Sequence, residues 1–217
     1  MRIDKNSYGS VALVYLLSAL AAFIVFMLCD LVLVRIAVLA FLLAFCIWQT
    51  LFFRVPVREQ NGSDKLVTAV ADGDIVIVKK VFEPEWLKSE CIQVSIYMDF
   101  WDVHANFWPV CGTVTYYRYH PGKHFLAFKP KASEENEHTC TCIRTKDGKD
   151  IFFKQLAGGF ARRIVCYSNP GLETQAGHQC GIIKFGSRID MFLPLDAKIC
   201  VNVGDKTRAC ETIIAEL

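Results

Sequence analysis

The stretch Gly181–Asp190 reads GIIKFGSRID and joins two short β-strand patterns through a glycine–serine pair. Apolar, β-branched residues lie on both sides of the pair, which favours a strand before it and another after it. Gly186 has no Cβ, so its backbone can adopt conformations that other residues avoid and its carbonyl stays open to approach. The stretch therefore predicts a β-domain in which a serine hydroxyl directly follows an accessible peptide carbonyl.

The Gly186–Ser187 pair also permits a rearrangement of the chain. Ser187 Oγ can attack the carbonyl of Gly186, and an N→O acyl shift then converts the amide into an ester. Elimination from the ester leaves dehydroalanine at residue 187. Its imine tautomer then takes up water and loses ammonia, which gives a pyruvoyl ketone. A bare Gly-Ser dipeptide is far more often a turn, so the rest of the chain has to decide between these two interpretations.

Composition limits the classes of function. The chain has 217 residues, enough for one domain and an appendage. The net charge of +2 provides no broad basic field, so a nucleic-acid partner is not expected. The hydrophobic fraction of 53 % exceeds the usual globular share, and the excess lies near the N-terminus.

The ten cysteines show neither a CxxC motif nor a Cys/His pattern with zinc spacing. Cys140 and Cys142 would lie on one face of a strand, which is a weak indication of a metal site. Reduced thiols that pack as small buried side chains in a reducing compartment are the favoured interpretation.

Two apolar runs predict that residues 1–54 are a membrane anchor. We expect helices over about 10–29 and 36–53, with a turn near Asp30–Arg35. The second run would be roughly 27 Å long, close to the ~30 Å hydrocarbon core. A secretory signal peptide fits less well, because a second apolar run follows the first. A transmembrane hairpin is favoured, and a hairpin within one leaflet is the alternative.

Basic residues flank both ends of this anchor. Arg2 and Lys5 precede it, and Arg54 and Arg58 follow it. Positive charge on both flanks predicts that both ends, and hence the remaining domain, lie on the cytoplasmic face of the inner membrane.

After a polar linker over 55–65, residues 66–217 predict a mainly β domain of the β-rich α+β class. Short β-branched and aromatic runs alternate with turn signals, which is typical of antiparallel sheets in a compact sandwich or barrel-like domain. No Rossmann glycine pattern and no P-loop occur, so nucleotide chemistry is not expected. The expected strands are 74–81, 92–100, 112–120, 138–145, 151–155, 162–167, 181–185, 188–193, 198–203 and 212–215.

Residue type alone gives only weak candidates for chemistry. Asp72 precedes a strand and is followed by Gly73, which favours a turn aspartate. His104 lies among aromatic residues, where a buried structural histidine is the favoured interpretation and a proton-transfer role is the alternative. Arg162 could hold a phosphate or simply be a surface charge. The remaining histidines are expected at the surface: His120, His124, His138 and His178.

Several motifs in order resemble the phosphatidylserine decarboxylase proenzymes of the short, membrane-bound prokaryotic type. Their order and spacing are more specific than any single motif. The motifs are Phe52–Pro56, Ala71–Gly73, Val103–Asn106 with Pro109–Val110, Pro130–Ser133 with Glu135–Glu137, Gln155–Gly158 with Ala161–Val165, and Ile183–Arg188.

The resemblance implies self-cleavage between Gly186 and Ser187. Residues 1–186 would become a large chain, and residues 187–217 a small chain that begins with a pyruvoyl group. The two chains would remain a heterodimer because their strands share one sheet and core, and the heterodimer could form a homo-oligomer.

The resemblance also implies roles for individual residues. Asp72 and His104 would activate Ser187, in the usual order of nucleophile, base and orienting group. Longer family members have a cleavage histidine at the position that Phe107 occupies here. Phe107, Trp108 and Arg162 are candidates for substrate binding, although plain core packing is favoured for the two aromatic residues.

The implied reaction removes CO₂ from phosphatidylserine and gives phosphatidylethanolamine. The pyruvoyl ketone from Ser187 would form a Schiff base with the substrate amine and accept electrons, and His104 would protonate the product carbon. We expect neither a metal nor a diffusible cofactor. The alternatives are a related serine-headgroup lipid such as archaetidylserine as substrate, or a non-catalytic, membrane-tethered module similar to lipoyl and biotinyl domains.

Overall fold

The structure is a computed structural model that describes residues 1–60, 65–123, 125, 135–158, 163–184 and 187–217. Three residues singled out from the sequence, Gly186, Arg162 and His124, lie outside these ranges. The chain divides into two units, Met1–Pro56 and Val57–Leu217.

The first unit is a helical hairpin. Helix α1 spans Tyr8–Leu28 and helix α2 spans Val32–Phe52. The short strands β1 (Arg2–Ile3) and β2 (Arg54–Val55) pair antiparallel at its open end. Each helix has 21 residues, which gives about 32 Å at the usual rise per residue. Both helices are long and apolar enough to cross a membrane, and the predicted pair of apolar helices is confirmed.

Polar side chains connect the two helices of this hairpin near its open end. Tyr15 Oη and Thr50 Oγ1 are 3.0 Å apart, and Gln49 Nε2 donates to the Ser10 carbonyl at 3.2 Å. These hydrogen bonds link the two helices through polar groups within an otherwise apolar pair.

Arg35 lies inside α2 and not in the turn, so the predicted start of this helix near residue 36 is wrong. Its Nε donates to the Cys29 carbonyl at 2.5 Å and its Nη2 to the Phe26 carbonyl at 2.8 Å. The last carbonyls of a helix lack partners within that helix, and a basic side chain can satisfy them. Arg35 therefore caps α1, which allows α2 to begin at Val32.

The second unit is built of strands. Within the described residues, the largest sheet has eight antiparallel strands and curls into a half-barrel, which confirms the predicted mainly β class. The strands are β3 (Leu66–Thr68), β4 (Gly73–Glu83), β5 (Ser89–Met98), β6 (Ala105–Phe107), β7 (Gly112–His120), β8 (His138–Arg144), β9 (Asp150–Ala157), β10 (Arg163–Cys166), β11 (Glu173–Thr174), β12 (Gln179–Lys184), β13 (Ser187–Leu193), β14 (Lys198–Ile199), β15 (Lys206–Thr207) and β16 (Ile213–Glu216).

The order of strands places the Gly181–Asp190 stretch between sheets. The large sheet has the order β11-β7-β8-β9-β13-β5-β4-β15. Smaller sheets have the orders β10-β12-β6 and β14-β16-β3. The chain therefore leaves one sheet at the end of β12 and enters an interior position of the large sheet at the start of β13.

All ten cysteines are free thiols, as the sequence predicted. Most of them are buried, including Cys140 and Cys142 in β8 and Cys180 in β12. Cys180 packs in the apolar core as a small side chain, and Cys91 and Cys142 do so in a smaller apolar cluster.

Candidate active site

Ser187 is the first residue of β13 and lies between two neighbouring strands. It faces Ala157 of β9 on one side and Met98 of β5 on the other. The residue is fully buried, and its Oγ forms no hydrogen bond within the described part of the chain. A buried hydroxyl without a partner costs about 1–3 kcal/mol. This hydroxyl is therefore a candidate for chemistry as well as for packing.

The two faces of β13 differ in character. Ile189 and Met191 belong to the apolar core. On the opposite face Arg188 and Asp190 form a buried, two-pronged ion pair, with N···O distances of 2.6 and 2.9 Å. A slip of one residue would exchange the two faces and place charges in the apolar core. The alternation therefore fixes Ser187 on the core side of the sheet.

His104 lies in the segment between β5 and β6 and is fully buried. Its Nδ1 is 3.1 Å from the Asp102 carbonyl. Because a carbonyl only accepts, Nδ1 carries the proton in this arrangement and Nε2 is the basic nitrogen of the neutral ring. The Ile183 amide donates to the His104 carbonyl at 3.3 Å. His104 is therefore held beside the strand that leads towards Ser187.

The Asp72 carboxylate is nearly buried and bound to an arginine. The Arg58 guanidinium donates to both of its oxygens, with Nη2 2.7 Å from Oδ2. The Ala209 amide also donates to Oδ1, at 2.8 Å. Among the described residues, these hydrogen bonds of Asp72 lead to Arg58 and Ala209. A direct pairing of Asp72 with His104 stays a prediction.

The negative charge of Asp72 affects the carboxyl of Asp102, which lies two residues before His104. Burial raises the pKa of the Asp102 carboxyl and outweighs the hydrogen bond from the Asp99 backbone. The negative charges of Asp99 and Asp72 raise this pKa further. This effect concerns the Asp102 carboxyl, whereas His104 contacts the backbone carbonyl of the same residue.

The aromatic candidates lie inside the domain. Phe107 is 2 % exposed and Trp108 is 4 % exposed, and Trp108 belongs to the apolar core. The Phe107 ring lies 6.0 Å from the guanidinium carbon of Arg58. The arginine that binds Asp72 therefore also lies beside Phe107. A role of Phe107, Trp108 and Arg162 in substrate binding stays a prediction.

A buried amide network near Ser187 was missed by the sequence analysis. Gln155 Nε2 donates to Asn106 Oδ1 at 2.8 Å, and Thr139 Oγ1 donates to Gln155 Oε1 at 3.0 Å. Asn106 Nδ2 also approaches the sulfur of Met98, the residue opposite Ser187, at 3.9 Å. Asn106 and Gln155 both belong to motifs that carry the family resemblance, so a signal existed. Their amide side chains gave no indication of a particular reaction.

Asn136 was also missed, and it fixes the other neighbour of Ser187. Its Nδ2 donates to the carbonyls of Ala157 and Phe125, both at 2.7 Å. Its Oδ1 accepts from the Phe125 amide at 2.9 Å. Asn136 therefore anchors the end of β9 at the point where Ala157 lies opposite Ser187.

Comparison with known proteins gives consistent matches. The sequence model of the phosphatidylserine decarboxylase family matches residues 44–215. A phosphatidylserine decarboxylase proenzyme of Amoebophilus asiaticus is 44 % identical over 171 residues, which cover 79 % of this chain and 76 % of the relative. The corresponding proenzyme of Cytophaga hutchinsonii is 43 % identical and covers 76 % and 75 %. That of Desulfotalea psychrophila is 39 % identical and covers 76 % and 78 %.

These matches identify the protein as an enzyme of the decarboxylase class, so a non-catalytic module is set aside. The family match starts within α2 and extends almost to the C-terminus, so it includes the whole large sheet. The chain belongs to the phosphatidylserine decarboxylase family.

Proposed function

We propose that this protein is a self-cleaving, pyruvoyl-dependent decarboxylase that converts phosphatidylserine into phosphatidylethanolamine at a membrane. Its relatives are named phosphatidylserine decarboxylase proenzymes, which supports the substrate and a processed precursor. The observation that carries the proposal is the buried Ser187 hydroxyl, which forms no hydrogen bond with the described residues. Such a hydroxyl is available to attack the carbonyl that precedes it.

The surroundings of residue 187 suit a reactive carbonyl group. Met98 and Ala157 flank this position, and residue 187 itself has no exposed surface. Exclusion of water protects a reactive group and strengthens electrostatic interactions within the site. A pyruvoyl group here would supply an electron-accepting ketone for decarboxylation. The Asn106–Gln155 pair would hold Met98, and thereby one wall of the site, in place.

His104 is the residue proposed to move a proton. Its ring is oriented by the Asp102 carbonyl, which makes Nε2 the nitrogen that accepts or delivers the proton. Asp72, bound by Arg58, would act on this histidine through its charge and through the packing of the Asp102 segment. In this arrangement Asp72 is a positioning residue.

The two chains formed by cleavage would stay together through strand pairing. Strand β13 pairs with β9 and β5, β15 pairs with β4, and β16 pairs with β3. Each of these pairs joins residues 187–217 to residues 1–186. The cleaved molecule would thus be a heterodimer whose interface is the sheet itself.

The helical hairpin would hold the enzyme at its substrate. A two-chain lipid rarely leaves the bilayer, so a membrane anchor keeps the domain at the level of the headgroup. The basic residues before α1 and after α2 favour a cytoplasmic location of both ends. We therefore place the domain on the cytoplasmic face of the inner membrane.

Intact-mass measurement of the denatured protein tests the proposal. We expect two chains split between Gly186 and Ser187, and a small chain whose mass fits a pyruvoyl group in place of the serine terminus. The same preparation should form phosphatidylethanolamine from vesicles that contain phosphatidylserine. If the enzyme decarboxylates an archaetidylserine-type lipid faster than phosphatidylserine, the assigned substrate changes but the proposed chemistry does not.

Two serine variants provide the control. Ser187→Ala should remain a single chain and be inactive. Ser95→Ala removes another fully buried serine of the same sheet, one that accepts from Gln93 at 3.0 Å, and it should cleave normally. Decarboxylation by an uncleaved wild-type chain, or by Ser187→Ala, would refute the proposed function.

A further inference from the structure

Four side chains of the types that bind metals converge away from Ser187. They belong to Glu85, His120, His138 and Cys140, and one potential ligand atom of each lies within 4.8 Å of the others. We propose that these four residues bind one zinc ion as a structural site. Neither the family match nor the names of the relatives refers to a metal.

The pairing of two strands creates this cluster. His120 at the end of β7 lies opposite His138 at the start of β8. Their rings stack, with centroids 4.5 Å apart and an interplanar angle of 16°. Cys140 follows His138 by two residues and so lies on the same face of the strand. The sheet thus presents two imidazoles and a thiol side by side.

Glu85 completes the set from the turn after β4. One of its oxygens is 2.6 Å from His120 Nε2, and the other accepts from the Cys140 thiol at 3.2 Å. The turn itself is organised by Glu83, whose carboxylate accepts the backbone amides of Glu85, Trp86 and Leu87 at 2.8–3.1 Å. Glu85 is therefore held towards the strands by its backbone as well as by its side chain.

Hydrogen bonds behind the cluster orient two of the ligands. His138 Nδ1 donates to the Asn136 carbonyl at 2.6 Å, which directs the lone pair of Nε2 towards the cluster. Tyr116 Oη donates to Glu85 Oε1 at 2.8 Å. Metal-binding histidines and carboxylates commonly have such supporting partners, which fix the tautomer and the orientation of the ligand.

The donor set indicates zinc. Two imidazoles, a thiolate and a carboxylate match its preference for nitrogen and sulfur ligands in a tetrahedron. Zinc–ligand bonds of about 2.0–2.3 Å place the ligand atoms about 3.3–3.8 Å apart, so the widest gap must close by about 1 Å. Four protein ligands leave no open position, which indicates a structural site. Binding releases the thiol proton of Cys140 to solvent. The proton that His120 Nε2 donates to Glu85 moves to Nδ1 of the same ring, because a zinc-bound nitrogen carries no proton.

Lys154 is the positive charge that faces this cluster. Its Nζ lies 3.7 Å from Glu85 Oε2 and 3.7 Å from Glu83 Oε1. When the metal takes Glu85 as a ligand, Lys154 keeps Glu83 as its partner. This half-buried lysine therefore does not lose its ion pair with Glu83 when zinc binds.

The proposed site is separate from the site of cleavage. His138 pairs with Leu156, and Ser187 pairs with Ala157, the next residue along β9. Successive residues of a strand point to opposite faces of the sheet. Zinc would therefore stabilise the sheet from the face opposite to Ser187, and cleavage should not require it.

The test measures zinc in the full-length, tag-free protein purified in detergent without chelator. Elemental analysis should give about one zinc per chain, and removal of zinc should lower the melting temperature reversibly, because a closed four-ligand site contributes to folding. Cobalt in place of zinc should produce a thiolate-to-metal charge-transfer band. A protein that contains no zinc and takes up none after dialysis against it would overturn the proposal.

Cys140→Ser and Cys142→Ser form a matched pair, because both remove a fully buried thiol of β8. Cys140→Ser should lose the zinc, the cobalt band and the effect of chelator on the melting temperature. Its affinity for zinc should fall by more than the roughly 10–100-fold seen for loss of a supporting partner. Cys142→Ser should keep all three properties even if it is less stable. Equal zinc retention by the two variants would refute the assignment of Cys140.

Discussion

Arg58 binds both carboxylate oxygens of Asp72, and the two side chains are only 5 % and 12 % exposed. In the sequence, Arg58 is one of the basic residues that flank the membrane anchor. In the structure it neutralises an aspartate that the family resemblance assigns to the active site. The same guanidinium carbon lies 6.0 Å from the Phe107 ring, so one arginine lies beside both residues.

Asp72→Asn should destabilise the folded protein substantially. The substitution leaves the buried Arg58 with only the more distant Glu211, 3.9 Å from its Nε, as a counter-charge. Breaking a buried pair by removing one partner costs about 3–5 kcal/mol. Denaturant unfolding of the full-length protein in detergent measures the effect. Asp74→Asn is the control, because it removes an exposed pair with Lys206 and should cost less than about 1 kcal/mol. Equal unfolding midpoints of the two variants would contradict a stabilising role of the Arg58–Asp72 pair.

His104→Ala should lose decarboxylation even in molecules that have been cleaved. General acid–base catalysis contributes about 10²–10⁴-fold, so turnover should fall by at least about 10²-fold. Product formation and intact mass, measured on the same sample, separate cleavage from catalysis. His178→Ala removes an exposed histidine and should retain activity. Full turnover by the His104→Ala protein would exclude this histidine from catalysis.

Gln155→Ala should slow cleavage as well as lower stability. It leaves Asn106 Oδ1 and Thr139 Oγ1 buried without their partner, at a cost of about 1–3 kcal/mol. The rate at which newly made precursor is cleaved gives the first readout, and thermal unfolding gives the second. Gln93→Ala removes a buried amide on the opposite face of the sheet and should lower stability without slowing cleavage. If both variants cleave at the wild-type rate, the Gln155 network is purely structural.

Protease added to sealed, right-side-out cells should spare the domain that follows Arg54. The basic flanks of the hairpin favour a cytoplasmic location of both ends, and an intact membrane then shields the domain. Inverted vesicles from the same cells serve as the control, since the domain should be digested there. Digestion in intact cells would reverse the proposed orientation.

The long strands could be predicted from the sequence, whereas the shortest could not. Strand β7 was predicted with its observed ends, because alternating side chains and turn residues mark it. Strands β3 and β6 have three residues each, and β11 has two. Such segments are too short to show a period, and their pairing depends on partners distant in sequence. The start of α2 was also missed, because a charged residue such as Arg35 is typical of a turn. Only the structure shows that Arg35 donates hydrogen bonds to carbonyls at the end of α1 and can therefore lie inside α2.

Site residues that lie in a sequence motif could be predicted. Contacts between side chains that are distant in the sequence could not. The position of Ser187 at the start of a strand followed from its motif. The partner of Asp72 was not predictable, because an arginine in a linker gives no sign of the carboxylate it will bind. His138 was predicted at the surface and is buried against His120, so that prediction was wrong. Strand register, which the sequence does not show, brings the two rings together.

The interior position of β13 has a consequence for the order in which the molecule is made. A strand hydrogen-bonded on both edges cannot be added to a finished sheet without opening it. The peptide bond before Ser187 keeps this strand close while the sheet forms, which lowers the entropy lost on bringing it into place. The proposed cleavage would therefore have to follow folding. Residues 1–186 and 187–217, produced as separate polypeptides, should not assemble into the enzyme, so the precursor chain serves as the template for its own assembly.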